Sequence, residues 1–314
     1  MPNATSPTSA HHGRGALWAA ASATAYSLSS VVGKGLLDSL GPASMLVWRF
    51  SIAAAVLFAI LVVWRRHGGP DPTDLPRATA LALGGVLGLL VLVGFLALDR
   101  LDASVYIVVV YTYPVFVVAG SALLGVRPGP GTWVALALVM LGVVLTVPEL
   151  FAAGGDVSGI GVALAVAQAL ILAGYMIASG RLMPPSVDGV VISAWVTLGS
   201  AMVLAPIALI DGLVLPRGAA LVAEVGLFAL VPTVVSTVCF FRALRYISPG
   251  VMAMVLTVEV ALVMVWSVIF LGENVRVIQV VGAAVVVAGV VVAQQVNARA
   301  ARRMADSLAT PRAV

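Results

Sequence analysis

Charge is what this chain has least of. Asp, Glu, Lys and Arg make up 10% of 314 residues, while 61% are hydrophobic. An ordinary globular domain carries about a quarter of its residues as charges, so a soluble fold with a polar skin is excluded. Cysteine occurs once, at Cys239, which excludes an internal disulfide. Only three histidines occur, His11, His12 and His67, in a tail and a loop without the spacing of metal ligands. No glycine-rich phosphate loop is present, so neither a bound cofactor nor ATP-driven work is expected. The formal charge of +4 is spread over loop ends and tails, which argues against nucleic acid as a partner and for topology signals beside a bilayer.

What the chain does have is long apolar runs: 15–34, 43–65, 77–98, 103–124, 130–147, 158–180, 188–211, 219–243, 248–271 and 275–295. Lipid offers no partner to a bare backbone group, and continuous runs of about 20 residues select helices over alternating barrel strands. The expectation is an all-α integral membrane protein with ten transmembrane helices. Breakers such as Gly41-Pro42, Gly68-Gly69-Pro70 and Pro128-Gly129-Pro130 close the short connections, leaving no room for a soluble domain.

The runs read twice. Phe95, Ala97 and Leu98 recur as Phe241, Ala243 and Leu244, and Ser121 as Ser267, at an offset of 146; Trp48, Val56 and Leu57 recur as Trp195, Val203 and Leu204, and Gly142 as Gly289, at 147. The expected organisation is a tail over 1–14, a five-helix repeat over 15–147, a second over 158–295 and a tail over 296–314. Arg14 and Ala21-Ser22-Ala23 have the look of a signal peptide, but the first run aligns with the sixth and belongs to the repeat. Five spans is an odd number, so the second copy enters the membrane in the opposite sense. Inverted repeats of this kind are chiefly a transporter device, with the substrate site between the halves near the midplane.

Most Lys and Arg residues, among them Arg14, Arg65, Arg66, Arg127, Arg181 and Arg245, fall on the side that holds both tails. That bias places both termini in the cytoplasm.

The ten-run pattern, with Tyr113-Pro114-Val115 in the fourth run, Leu271-Gly272-Glu273 ending the ninth, and Gly282 and Gly289 in the tenth, resembles the EamA-type branch of the drug/metabolite transporter superfamily. The chain is similar to bacterial exporters of aromatic and other neutral amino acids. The resemblance implies a multi-pass inner-membrane exporter. Val126 stands where the first half would carry the acid of Leu-Gly-Glu, and Glu259-Val260 stands where the family often shows Glu-Pro.

Candidate substrate contacts come from the polar residues of the runs. Ser22, Tyr26, Ser29, Ser30 and Gly33 share one face of the first helix; Gln168, Tyr175 and Ser179 occupy matching positions in the sixth. They read as a cavity wall or as helix-to-helix glue. Tyr106 and Tyr113 share a face of the fourth helix, their counterparts being Met252 and Glu259. Pro114 frees the carbonyl of Val110 and Pro232 that of Phe228; such carbonyls contact a ligand, mark a hinge as Gly250 also could, or accompany a kink with neither role, and Thr233 and Thr237 beside Pro232 line the cavity or bond back to their own helix. Glu259 reads as the one ionisable group near the midplane, where a charge costs about 2.5–3.5 kcal/mol. It is open to three roles: binding a substrate ammonium, carrying a proton, or bracing helices. Arg49 and Glu224 lie near the outer surface and are expected to snorkel or pair there.

With no midplane cation in view, the cargo should be neutral, zwitterionic or apolar. The expected partners are a small-molecule substrate, the lipid bilayer and, on one role of Glu259, protons; no obligate protein partner is evident. The reading is a secondary transporter working by alternating access, exporting aromatic and other neutral amino acids. The alternatives are an exporter of drugs or other hydrophobic metabolites, and a channel or receptor. An enzyme is disfavoured, because the runs hold no histidine and one central carboxylate.

Overall fold

A computed structural model describes residues 7–101, 103–147, 158–271 and 275–309. The described residues are helical, with no strand among them. In order they form α1 (Pro7–Leu40), α2 (Pro42–Arg66), α3 (Arg77–Leu98), α4 (Ala103–Val110), α5 (Tyr113–Leu123), α6 (Pro130–Leu145) and α7 (Gly159–Leu182). There follow α8 (Gly189–Asp211), α9 (Ala219–Ala229), a π-helical turn (Leu230–Val235), α10 (Ser236–Leu244), α11 (Pro249–Leu256), α12 (Val258–Leu271) and α13 (Val277–Ala309). Among the described residues eight helical spans are long and apolar enough to cross a bilayer, and Pro130–Leu145 is a shorter apolar helix.

The helix ends follow local chemistry. Proline opens α2 behind Gly41, whose φ of 68° a side chain would strain. Ser158 and Asp188 cap α7 and α8 by accepting from Gly161 N and Val190 N. Two helices outrun the apolar runs: α1 begins at Pro7 and α13 reaches Ala309, entering the stretches read as tails. Extending a formed helix adds a hydrogen bond per residue without a new nucleus, so good helix formers prolong it beyond the apolar stretch. Gly272 and Glu273, part of the ninth-run motif, lie outside the described residues.

The halves interlock. α3 packs on α7 as α10 packs on α1; α5 packs on α7 as α12 packs on α1; and α6 packs on its own counterpart α13. Glycines let those counterparts touch. A Cβ on Gly142 would meet Val286 N at 2.5 Å, one on Gly282 would meet Thr146 N at 2.6 Å, and one on Gly289 would meet Val139 N at 2.9 Å. As position rises from 139 to 146 along α6, the contacted position on α13 falls from 289 to 282, so the two run antiparallel. Symmetry mates that run in opposite directions make the repeat an inverted one.

Among the described residues the core falls into four buried clusters. The largest joins both halves through Tyr113, Val117, Tyr175, Met176, Phe240, Phe241, Met252 and Met254, and a second, built on Leu57, Leu61, Val191 and Ala194, lies toward the side of the termini. Toward the far side lie two flanking clusters. One is built on Leu36, Leu46, Phe50, Leu204 and Phe228, the other on Ala97, Leu101, Val110 and Ala165.

Candidate functional site

Between those flanks stand half-buried polar side chains from both halves: Tyr26 and Ser29 of α1, Tyr106 of α4, Tyr111 at the α4–α5 break, Gln168 of α7 and Glu259 of α12. The backbone makes this possible by breaking twice. α4 stops at Val110 and α5 starts at Tyr113; α11 stops at Leu256 and α12 starts at Val258. At each break a threonine hydroxyl donates to the carbonyl three residues back, Thr112 to Val109 and Thr257 to Met254, both at 2.6 Å. At the first break the same Val109 carbonyl also accepts from Thr112 N at 3.2 Å, a tighter turn in place of the regular helical bond. Tyr113 and Glu259, symmetry mates at an offset of 146, each stand in the first turn after a break.

The break redirects residues that helical spacing placed together. Tyr106 lies with the end of Gln168 of α7 against Gly94 of α3, whereas the Tyr113 hydroxyl donates to Ala253 O of α11 at 3.0 Å. The pair reaches opposite neighbours. Tyr111, which face counting leaves out, packs obliquely on Tyr113, with ring centroids 6.1 Å apart, two residues before the mate of Glu259. Counting at 3.6 residues per turn does not survive an interruption, and only the break itself reveals Tyr111.

On α1 and α7 the polar stripes part company in the same way. Ser22 is 1% exposed and donates to Ser236 O at 2.9 Å, a helix-to-helix bond on the termini side of the site. Tyr26 lies under the Arg49 guanidinium, 5.7 Å from ring centroid to Cζ. Ser29 accepts from Arg49. Ser30 has a side chain outside the described set. Across the site Tyr175 is buried and stacks on Phe240 with centroids 5.9 Å apart. Gln168 Oε1 and Ser179 Oγ are buried without a hydrogen-bond partner. Gln168 fits only because α3 offers Gly94, where a Cβ would meet Gln168 Cδ at 2.9 Å and the Tyr106 hydroxyl at 3.0 Å.

The main correction concerns Arg49. The sequence placed it at the outer surface, snorkelling; the structure buries it at 2% exposure with its guanidinium turned inward. Nε donates to Thr233 Oγ1 at 2.5 Å, Nη1 to Ser29 Oγ at 3.1 Å and Nη2 to Pro232 O at 3.1 Å. Cζ lies 4.3 Å from the ring centroid of Phe228. Pro232 sits halfway along the Ala219–Leu244 span, so the charge that grips it is near midplane depth and Glu259 is not alone there. Each lies in the other's electrostatic field, and Tyr26 feels both. Sequence position gave the depth of the Arg49 backbone but not the reach of its long side chain. Glu224, its expected companion, is exposed on α9.

The hinge candidates fall at three kinds of place. Pro114 lies in the first turn of α5, Pro232 inside the π turn, and Gly250 in the first turn of α11 behind the cap Ser248. Thr237 sends its hydroxyl back to Thr233 O at 2.7 Å. Among the described residues no group of His, Cys, Asp and Glu could hold a metal ion.

Two interlocked inverted halves, paired broken helices and half-buried polar side chains drawn from both halves define a membrane transporter fold. The sequence profile of the EamA-like transporter family matches residues 13–147 and again 159–294, one match per half. The chain belongs to the EamA-like transporter family. One solved crystal structure superposes with a TM-score of 0.78 at 19% identity, covering 91% of this chain and 98% of that one; at this identity the likeness concerns the fold. Two curated proteins, lipoprotein signal peptidases of Pseudomonas fluorescens and Pseudomonas syringae pv. tomato, are each 51% identical over 41 residues. Those matches cover 13% of this chain and 24% of each relative, so the chain spans about a quarter of the length of the curated relatives it matches. A stretch of 41 residues is about two membrane helices long.

Proposed function

We propose that this protein is a secondary transporter of ten spans, α1 and the short α6 included, that works by alternating access. Its cargo is small neutral or zwitterionic metabolites, aromatic and other neutral amino acids first, and its direction is export across a bacterial inner membrane from a side that holds both termini. The observation that carries this reading is the set of half-buried polar side chains that both halves contribute beside two broken helices: Tyr26, Tyr106, Tyr111, Gln168 and Glu259. On this reading the largest buried cluster, rich in aromatic and methionine side chains, closes the termini side of the site, one of the two states that alternating access requires.

The cargo class follows from what the site offers. Tyr26, Tyr106 and Tyr111 present aromatic faces and hydroxyls, Gln168 an unpartnered acceptor oxygen, and Glu259 a carboxyl. The first suits an aromatic or aliphatic side chain; the last two suit an ammonium group. Arg49 restores a midplane cation that the sequence reading lacked. Its guanidinium is buried and bonded within the protein, so a multiply charged anion still meets no open positive group among the described residues.

The test is a panel in reconstituted liposomes. Radiolabelled phenylalanine, tyrosine and leucine are compared with lipophilic cations, with and without an imposed pH gradient. Saturable phenylalanine flux, competed by the other amino acids, supports the proposal. Flux of cations alone would turn the reading to a drug exporter, non-saturating flux to a channel, and no flux of any kind would sink it.

A further inference from the structure

The π turn at Leu230–Val235 is an interruption with unusually complete compensation. Pro232 has no N–H, so the carbonyl of Phe228 loses its helical partner. The Thr233 hydroxyl takes that place, donating to Phe228 O at 3.2 Å. The turn also shifts the register below it: Ser236 N points to Val231 O and Thr233 O, and the carbonyl of Pro232 is passed over. Arg49 Nη2 supplies the missing donor to Pro232 O, and Nε donates to the same Thr233 oxygen that covers Phe228. Both carbonyls released by the π turn therefore depend on one guanidinium from the other half of the molecule. Its remaining arm fixes Ser29 on α1, and the face of Phe228 shields it.

We infer that Arg49 is a positioning residue. It holds the π register at Pro232 and thereby aims α10, whose Cys239, Phe240 and Phe241 plug the termini side of the site. A π turn is one residue wider than an α turn, so trading one register for the other rotates and shifts everything beyond it. While the fork grips Pro232 O and Thr233, α10 lies in the plug; when the grip loosens, the turn rewinds, α10 swings and the site opens toward the termini. The inference rests on the alternating-access reading above, and it assigns no contact between Arg49 and cargo.

Cys239 provides the reporter, because it is the sole cysteine, is 5% exposed and sits on α10. The full chain in liposomes is treated with a thiol-reactive maleimide, and the modification rate is compared among the native protein, Arg49→Lys, Arg49→Gln and Thr233→Val. Lysine keeps the charge but cannot span Pro232 O, Thr233 and Ser29 together; valine keeps the shape of threonine and removes its oxygen. Cys239 should react at least about tenfold faster in all three, with Arg49→Lys intermediate. For phenylalanine flux, KM should stay within about twofold while turnover drops by about tenfold, since only the conformational step is altered. Should Arg49→Gln fail to fold, Thr233→Val decides alone. An unchanged Cys239 rate in folded Arg49→Lys and Thr233→Val overturns the inference, as does a raised KM at unchanged turnover, which would make Arg49 a cargo contact. If the native protein carries no phenylalanine at all, the cargo reading fails while the Cys239 rates still decide the role of Arg49.

Discussion

The Tyr113 hydroxyl donates to the Ala253 carbonyl at 3.0 Å, tying the first turn of α5 to α11. Both residues are buried, so the bond joins the two halves on the termini side of the site. Tyr113→Phe removes the hydroxyl, leaves one carbonyl unpartnered and keeps the ring. A neutral hydrogen bond of this kind contributes about 1 kcal/mol net. Thermal unfolding in detergent should register a loss of that order, and the termini side should open more readily, read as faster Cys239 modification. A fully native melting curve and Cys239 rate would mean that the bond adds nothing to closure.

Glu259 stands half-buried in the first turn of α12, just past the break that follows α11. Glu259→Gln keeps the shape and hydrogen-bonding capacity and removes the ability to ionise. Phenylalanine flux driven by a pH gradient should drop at least about tenfold, because neither a proton nor an ammonium is then exchanged at full strength. Exchange of labelled for unlabelled phenylalanine separates the two roles: it persists if the carboxyl carries the proton and is lost if it binds the ammonium. Unaltered flux in both assays would leave Glu259 a brace between helices.

Glycines on α3 separate specificity from folding. At Gly94 an added Cβ meets the end of the Gln168 side chain and the Tyr106 hydroxyl, groups that can swing away. At Gly84 the same atom meets the backbone carbonyl of Val196, which cannot. Gly94→Ala should fold and alter the ratio of phenylalanine to leucine transport by about threefold or more, a difference of under about 1 kcal/mol. Gly84→Ala should lower the yield of folded protein sharply, since it prises α3 from α8. Equal behaviour of the two variants would contradict this division.

Asp188 does two things at the entrance to α8. One carboxylate oxygen accepts from Val190 N at 2.8 Å as a helix cap, and the carboxylate pairs with Arg242 at 3.5 Å and Arg245 at 4.0 Å. Asp188→Asn retains the cap and deletes the charge; Asp188→Ala deletes both. Partly exposed ion pairs are worth about 0–1 kcal/mol, whereas losing a cap costs about 1 kcal/mol. The asparagine variant should therefore melt within a few degrees of the native protein and the alanine variant clearly below it. The reverse order would show that the pair with the arginines, not the cap, fastens this end.

How far the sequence could be read follows from which signals are additive. Apolar runs and the 146–147 offset are summed over many residues, so the helices, the two halves and the family were legible. Within a span, legibility depends on an unbroken helix. Tyr26 and Ser29, three residues apart on the continuous α1, both meet Arg49, while Ser22, a turn earlier, bonds to Ser236 of α10. Tyr106 and Tyr113 separate because α4 and α5 are two helices. Arg49 was misplaced for another reason: in lipid a long side chain can turn outward to water or inward to a polar break, and the energies depend on a partner 184 positions away. Pro232 and Thr233 were seen as a pair of interest, but nothing local says which arginine completes them.

The glycine contacts between α6 and α13 carry a mechanical consequence. Gly142, Gly282 and Gly289 bring two main chains so close that sliding either helix would drive backbone into backbone. On the alternating-access proposal, a machine that exposes its centre first to one bath and then to the other needs one place that never parts. This seam is suited to be that fulcrum, leaving the rest of each half to do the travelling.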